Sequence, residues 1–279
     1  MRSRPTLLQS SKAIRLRFSC CVAARRRRPS TSRSAAGRSR ASRRRSFKPQ
    51  ARCCHYGGVS TAPRIKICGI TNLADAELAV ELGAWAVGCI MWDGSGRRCE
   101  QVDARTIATR LHRDVEVCGV YVNPTLDEVA GQVDALGFTM VQLHGDEGPS
   151  FCEELRRRTG ARVIKAMQVV SGEQLNDLER FHHVDYHLLD TGHPDLRGGT
   201  GESWDWSLAA GRHSKLPLIL SGGLDASNVA EAIGVIHPFA VDTASGTEAS
   251  PGIKDAAKML AFVDAVASTS PTSSEELPA

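Results

Sequence analysis

Acidic residues are missing from the first 74 positions of this 279-residue chain; the first is Asp75. Residues 1–63 hold 17 of the 35 Lys and Arg and none of the 31 Asp and Glu, so the formal charge of +4 averages two unlike segments. From residue 64 onward 18 basic residues face 31 acidic ones, a net of −13. Long apolar runs are also missing. No stretch approaches the ~18 consecutive apolar residues of a membrane-spanning helix, and none has the form of a secretory core. Aromatics make up only 5% of the chain. In the basic segment Phe18, Phe47 and Tyr56 alone could stack on bases, and the acidic remainder would be repelled by phosphates. Nucleic acid is therefore not the expected partner, despite the arginine runs at 25–28 and 43–45. Membrane is not expected either. The nine cysteines show no C-x-x-C spacing, which excludes the usual zinc site and disulfide framework. Cys20, Cys21, Cys53 and Cys54 fall in the basic segment, leaving Cys68, Cys89, Cys99, Cys118 and Cys152 scattered as reduced thiols.

An acid-free segment rich in Arg, Ser and Ala, without an apolar run, has the composition of an organelle transit peptide. Residues 1–63 are expected to be a disordered address of that kind. The Ser30-Thr31-Ser32 content favours the chloroplast stroma over the mitochondrion. The rest of the chain is long enough for one sizeable core. Within it, short apolar or β-branched runs alternate with helical stretches eight times. The runs are 64–70, 86–91, 115–122, 140–144, 162–167, 186–190, 217–221 and 239–242, patterned as strands covered by helices. Leu126, Val129, Val133 and Leu136 recur at helical spacing behind a Thr125/Glu128 capping box. Val229, Ala232, Ile233 and Ile236 do so behind Asp225 and Ser227 as caps. Met259, Phe262, Val263 and Val266 form a last stripe, and Gly83 and Gly137 read as helix stops. Eight such units predict a single (β/α)₈ barrel over 64–268, with a disordered tail over 269–279. A doubly wound open sheet is the structural alternative.

Polar residues interrupt these strands at their C-terminal ends, the end that carries chemistry in parallel α/β folds. In Arg64-Ile65-Lys66-Ile67-Cys68-Gly69-Ile70-Thr71, period two sends Ile65 and Ile67 to one face and Lys66, Cys68 and Ile70 to the other. A cation beside a thiol favours thiolate, though a small buried core thiol fits the same pattern. Gln142 and His144, Asp190, and Asp242 close three further strands. In a barrel all would converge on one rim. Glycine forms a second constellation: Ser221-Gly222-Gly223 follows strand seven and Ser245-Gly246 follows strand eight, the two positions from which barrels present backbone N–H groups to a phosphate. Arg197-Gly198-Gly199-Thr200-Gly201 is a long polar loop after strand six, suited to closing over a substrate. Ser95-Gly96-Arg97-Arg98 offers a guanidinium fork for a carboxylate.

In this order, Lys-Ile-Cys-Gly-Ile-Thr, Gln-Leu-His-Gly, Leu-Leu-Asp, Gly-Gly-Thr-Gly, Ser-Gly-Gly-Leu and Val-Asp-Thr-Ala-Ser-Gly-Thr-Glu resemble phosphoribosylanthranilate isomerase of tryptophan biosynthesis, from residue 64 to about 266. The resemblance implies a (β/α)₈ barrel that performs an Amadori rearrangement on N-(5′-phosphoribosyl)anthranilate, without metal or organic cofactor, as a monomer or homodimer. It implies Cys68 as general base and Asp190 as general acid. Arg97 falls where the family binds the anthranilate carboxylate, although Arg98 adjoins it in a loop that departs from the family pattern. Gly222, Gly223, Ser245 and Gly246 match the phosphate cradle and Asp242 a supporting carboxylate at the rim; Lys66, Gln142, His144 and Gly199 complete the expected substrate site. Lys66 is the expected cause of a favoured Cys68 thiolate. Ala244 stands where the family tends to carry a hydroxyl. The rivals are a sister barrel of the histidine or tryptophan pathways and a non-catalytic sugar-phosphate sensor. Cys68 speaks against the histidine-pathway isomerase, the lack of obvious partners for Lys165 against the tryptophan-pathway synthase, and the presence of an acid–base pair against the sensor.

Overall fold

The computed structural model describes residues 62–169, 172–191 and 212–269. The expected transit segment up to residue 61, the loop carrying Gly199, and residues 270–279 lie outside the described residues. Eight parallel strands close on one another in sequence order: β1 (Arg64–Cys68), β2 (Ala86–Ile90), β3 (Glu116–Tyr121), β4 (Met140–Leu143), β5 (Arg162–Val169), β6 (Tyr186–Thr191), β7 (Leu218–Leu220) and β8 (Ala240–Thr243). The closing pair β8–β1 sets Arg64 beside Ala240 and Lys66 beside Asp242. That pairing makes the sheet a barrel and excludes the open sheet. Helices α1 (Leu73–Glu81), α2 (Gln101–Leu111), α3 (Leu126–Leu136), α4 (Pro149–Thr159), α5 (Gly172–Leu178), α6 (Val229–Ile236) and α7 (Ala256–Ala267) lie between or after the strands.

The helices form where expected because their ends are specified locally. Thr125 caps α3 by accepting from the Glu128 N–H at 3.3 Å, and Gly137 ends it in the left-handed region at φ 82°. Asp255 caps α7 by accepting from the N–H groups of Ala257 and Lys258. The expected caps of α6 differ. Asp225 instead accepts from the N–H and hydroxyl of Ser227, closing a turn, and Asn228 stands at the N-cap. Asn228 uses its side chain to tie that turn to the preceding glycines, donating to the Gly223 carbonyl at 2.9 Å.

Strand alternation divides the core in two. Ile65, Ile67, Val87 and Val141 point outward to helix residues such as Ile107, Val129 and Phe262. Cys68, Cys118, Met140, Ile164, Leu188 and Ile219 fill the barrel interior. Ile70 departs from the expected inward face and packs with the outer layer. The strand ends at Cys68, and Gly69 turns the chain at φ 74° before Ile70 donates to the Gly88 carbonyl, so period two no longer applies. At the strands' N-terminal ends Trp85, Tyr186 and Phe239 pack with centroids 5.4–5.5 Å apart, and the Arg64 guanidinium lies over two of these rings. This aromatic plug shuts one end of the barrel. The other end is open.

Candidate active site

Cys68 is the last residue of β1, with its thiol among the inward-facing side chains. Opposite it in register is Gly88, where a Cβ would lie 2.8 Å from the sulfur; the missing side chain leaves the thiol its space. Two residues earlier Lys66 is fully buried, its Nζ donating to Asp242 Oδ1 at 2.9 Å. Burial alone would depress this ammonium, but the Asp242 carboxylate, helped by Cys68 and Cys118, holds it above the ordinary lysine range. The consequence for Cys68 departs from expectation. Burial pushes the thiol up; Lys66 pulls it down, Asp242 pushes it back up and Lys254 pulls it down again. The balance leaves the Cys68 thiol above its usual value, because burial outweighs the pull of Lys66, whose charge Asp242 partly cancels. Lys66 is also not among the residues lining the open cavity. It lies beneath, as the support of Asp242 rather than as a contact for substrate.

Across the mouth, β4 and β6 bring up Gln142, His144 and Asp190. Gln142 Nε2 lies 3.3 Å from His144 Nδ1, and His144 Nε2 lies 3.2 Å from Asp190 Oδ2. Gln142 Oε1 is buried with no hydrogen-bond partner among the described residues. An unsatisfied buried acceptor costs about 1–3 kcal/mol, so this one suits a ligand donor.

The glycine loops follow β7 and β8. Gly222 and Gly223 have φ of 96° and 64°, a region open to glycine at little cost. At Gly246 a Cβ would come 2.1 Å from the Leu224 carbonyl, so the two loops touch backbone to backbone there. Thr243 Oγ1 donates to the same carbonyl at 2.7 Å. Asp242 Oδ2 lies 3.5 Å from Ser221 Oγ, joining the buried ion pair to the first glycine loop.

The two arginines after β2 part company. Arg97 lines the cavity, and its Nε donates to both oxygens of Glu248, at 2.9 and 3.0 Å. Arg98 pairs outward with Asp93, at 2.6 Å, and with Glu100. Glu248 and Lys254, which packs on it, were not among the residues expected at the site. The acidic residue is visible in Ser-Gly-Thr-Glu, but its partner Arg97 is 151 positions away, and nothing local announces the pairing.

One cavity of about 110 Å³ collects these groups: Cys68, Arg97, Gln142, His144, Asp190, Gly222, Gly223, Asp242 and Ser245 all line it. A space that size holds an organic ligand rather than a water or two. Gly246 is not among the lining residues; it packs against the Leu224 carbonyl beside Ser245. Among the described residues no group of three or more His, Cys, Asp or Glu is placed to hold a metal ion, and no helix is long and apolar enough to cross a membrane. The five described cysteines are free and buried.

A family model described as N-(5′-phosphoribosyl)anthranilate (PRA) isomerase matches residues 65–265. The chain is 42% identical over 200 residues to the N-(5′-phosphoribosyl)anthranilate isomerase of Pelobacter propionicus, covering 72% of this chain and 93% of that protein. Its fold is similar to the crystal structure of phosphoribosyl anthranilate isomerase from Thermotoga maritima, with a TM-score of 0.67 and 38% identity over 73% of this chain and 98% of the other. A further similar crystal structure, with a TM-score of 0.64 and 36% identity over 73% and 98% of the two chains, is of phosphoribosyl anthranilate isomerase in complex with reduced 1-(o-carboxyphenylamino)-1-deoxyribulose 5-phosphate.

Proposed function

This chain belongs to the N-(5′-phosphoribosyl)anthranilate isomerase family, and on that premise we propose that Cys68 and Asp190 are the base and acid of its Amadori rearrangement. The enzyme is a phosphoribosylanthranilate isomerase of tryptophan biosynthesis acting on a small-molecule substrate. The observation that carries the finer reading is that Cys68 and Asp190, 122 positions apart in sequence, line one cavity together with the glycine loops and Arg97.

The chemistry distributes over these groups as follows. Backbone N–H groups of Gly222, Gly223, Ser245 and Gly246 hold the phosphate, and the outer edge of Arg97 takes the anthranilate carboxylate. Asp190, protonated, gives its proton to the furanose ring oxygen as the C1′–O bond breaks and the anilino nitrogen forms an iminium with C1′. The Cys68 thiolate then removes the proton from C2′, the electron pair moving to reduce the iminium to an enamine. The resulting enolamine becomes the ketone on transfer of the C2′ hydroxyl proton and protonation at C1′. Gln142 Oε1 is placed to accept from a sugar hydroxyl, and His144 Nε2 lies 3.2 Å from the Asp190 carboxyl. Each proton-transfer group typically contributes ~10²–10⁴-fold. Cys68→Ser and Asp190→Asn should therefore each lower kcat by about that factor while the melting temperature stays near that of the parent. Turnover within tenfold of the parent in Cys68→Ser removes it as the base.

Composition supports the further proposal that residues 1–63 direct the chain to the plastid stroma. A fluorescent protein fused behind these residues should accumulate in plastids of plant cells. Retention in the cytosol or delivery to mitochondria would refute it.

A further inference from the structure

Glu248 stands where the β8 loop meets the loop after β2. It follows a 3₁₀ turn (Ser245–Thr247) that belongs to the glycine cradle, and its side chain is almost fully buried against Arg97 and Lys254. Every strong contact of its carboxylate is with a donor. Oε2 accepts from Arg97 Nε at 2.9 Å; Oε1 accepts from the same Nε at 3.0 Å, from the Gly252 N–H at 3.3 Å and from Lys254 Nζ at 3.3 Å. Lys254 Nζ also donates to the carbonyl of Ala244, a residue of the cavity wall, at 2.8 Å. The backbone turn directly after Cys68 abuts this cluster: a Cβ on Gly69 would lie 3.1 Å from Arg97 Cδ and 3.2 Å from Glu248 Oε1.

An arginine guanidinium donates from three nitrogens, Nε and two terminal amines. Here Glu248 occupies the Nε edge, and the two terminal amines of Arg97 have no protein partner among the described residues. An arginine at a cavity wall, free to rotate about four torsions, would lose much of its binding energy in side-chain entropy; one gripped at Nε does not. The charges add in the same sense. Two cations and one carboxylate leave a net +1 beside the cavity, so an anion is still attracted after Glu248 is paired. A carboxylate that only neutralised Lys254 would have no reason to centre on Arg97 Nε.

We infer that Glu248, seated on Lys254, is a positioning residue that aims the terminal amines of Arg97 at the aromatic carboxylate of the substrate, and so sets the preference for an anthranilate over an unsubstituted aniline. The inference rests on the assignment of Arg97 to that carboxylate.

The test uses two stable reduced product analogues, 1-(2-carboxyphenylamino)-1-deoxyribitol 5-phosphate and its phenylamino counterpart, titrated calorimetrically into the purified full-length protein. The parent should favour the carboxylated analogue by about 100-fold, the scale of a two-pronged charge-assisted contact. Glu248→Gln should cut that preference about tenfold and leave phenylamino binding within about twofold, which also shows that the barrel is folded. Arg97→Lys, which keeps the charge but loses the Nε grip, should cut it similarly, and Glu248→Gln should add nothing in an Arg97→Ala background. An unchanged or increased preference in Glu248→Gln, or equal weakening of both analogues, overturns the positioning role. An unchanged preference in Arg97→Ala overturns it too, and with it the assignment of Arg97 to the carboxylate.

Discussion

Lysine two residues before a cysteine on one strand face promises a lowered thiol, and here the promise is only half kept. The same register that turns Lys66 inward sets Asp242 beside it, and the ammonium serves the carboxylate first. Burial then outweighs what is left of its pull, and Cys68 remains above its ordinary value in the substrate-free enzyme, which gives a pH prediction with a definite sign. If the thiolate is the base, kcat/KM rises with pH on the acid side of its profile, following the thiolate fraction. Lys66→Met removes the cation that lowers the thiol and leaves Asp242 as an uncompensated neighbour, so the rising limb should move to higher pH. The rate of Cys68 alkylation by iodoacetamide, measured against pH, should move with it. The variant should also lose about 3–5 kcal/mol of stability, the usual cost of breaking one side of a buried pair. A limb that stays in place or moves to lower pH would show that Lys66 does not govern the thiol. The sequence displayed Lys66 and Cys68 but not this balance, because Asp242 is 176 positions away and which charge a buried lysine serves is decided by the closing of the barrel.

Strands were readable because both of their faces are buried and their boundaries are chemical. Each apolar run stops within one or two residues of where its hydrogen bonds stop, since polar or glycine residues take over at the rim. The polar endings Gln142, His144, Asp190 and Asp242 were readable for the same reason, as groups that apolar packing did not explain. What escaped were features set by backbone turns and by contacts between loops. Ile70 follows a glycine at φ 74° and so changes face. Asn228 takes the N-cap position because Asp225 and Ser227 are engaged with each other. Arg97 and Arg98 are adjacent and chemically identical, and only the placement of Glu248 and Asp93 sends one into the cavity and the other away. Loops of this kind are specified by partners far along the chain, and local pattern carries no record of them.

At the scale of the whole molecule the barrel separates its two tasks by its two ends. The C-terminal rim carries orphaned and charged groups held close to a cavity, an arrangement that costs stability: a buried acceptor without a donor, a buried Lys66–Asp242 pair, and a lysine, Lys254, whose burial outweighs Glu248 and leaves its ammonium below the usual range. The N-terminal end offsets this with the Trp85–Tyr186–Phe239 plug, which has the geometry of favourable aromatic pairs and contributes no residue to the cavity lining. Trp85→Ala should then cost about 3 kcal/mol by loss of packing, lowering the melting temperature by roughly 6–12 °C for a domain of this size. At a temperature where the variant is still folded, kcat and KM should match those of the parent, because no residue of the plug lines the cavity. A Trp85→Ala protein that melts like the parent but turns over slowly would mean that the closed end transmits to the rim, through the inward layer of Met140, Ile164 and Leu188 that fills the barrel between them, and that stability and catalysis in this barrel share one packed column rather than dividing it.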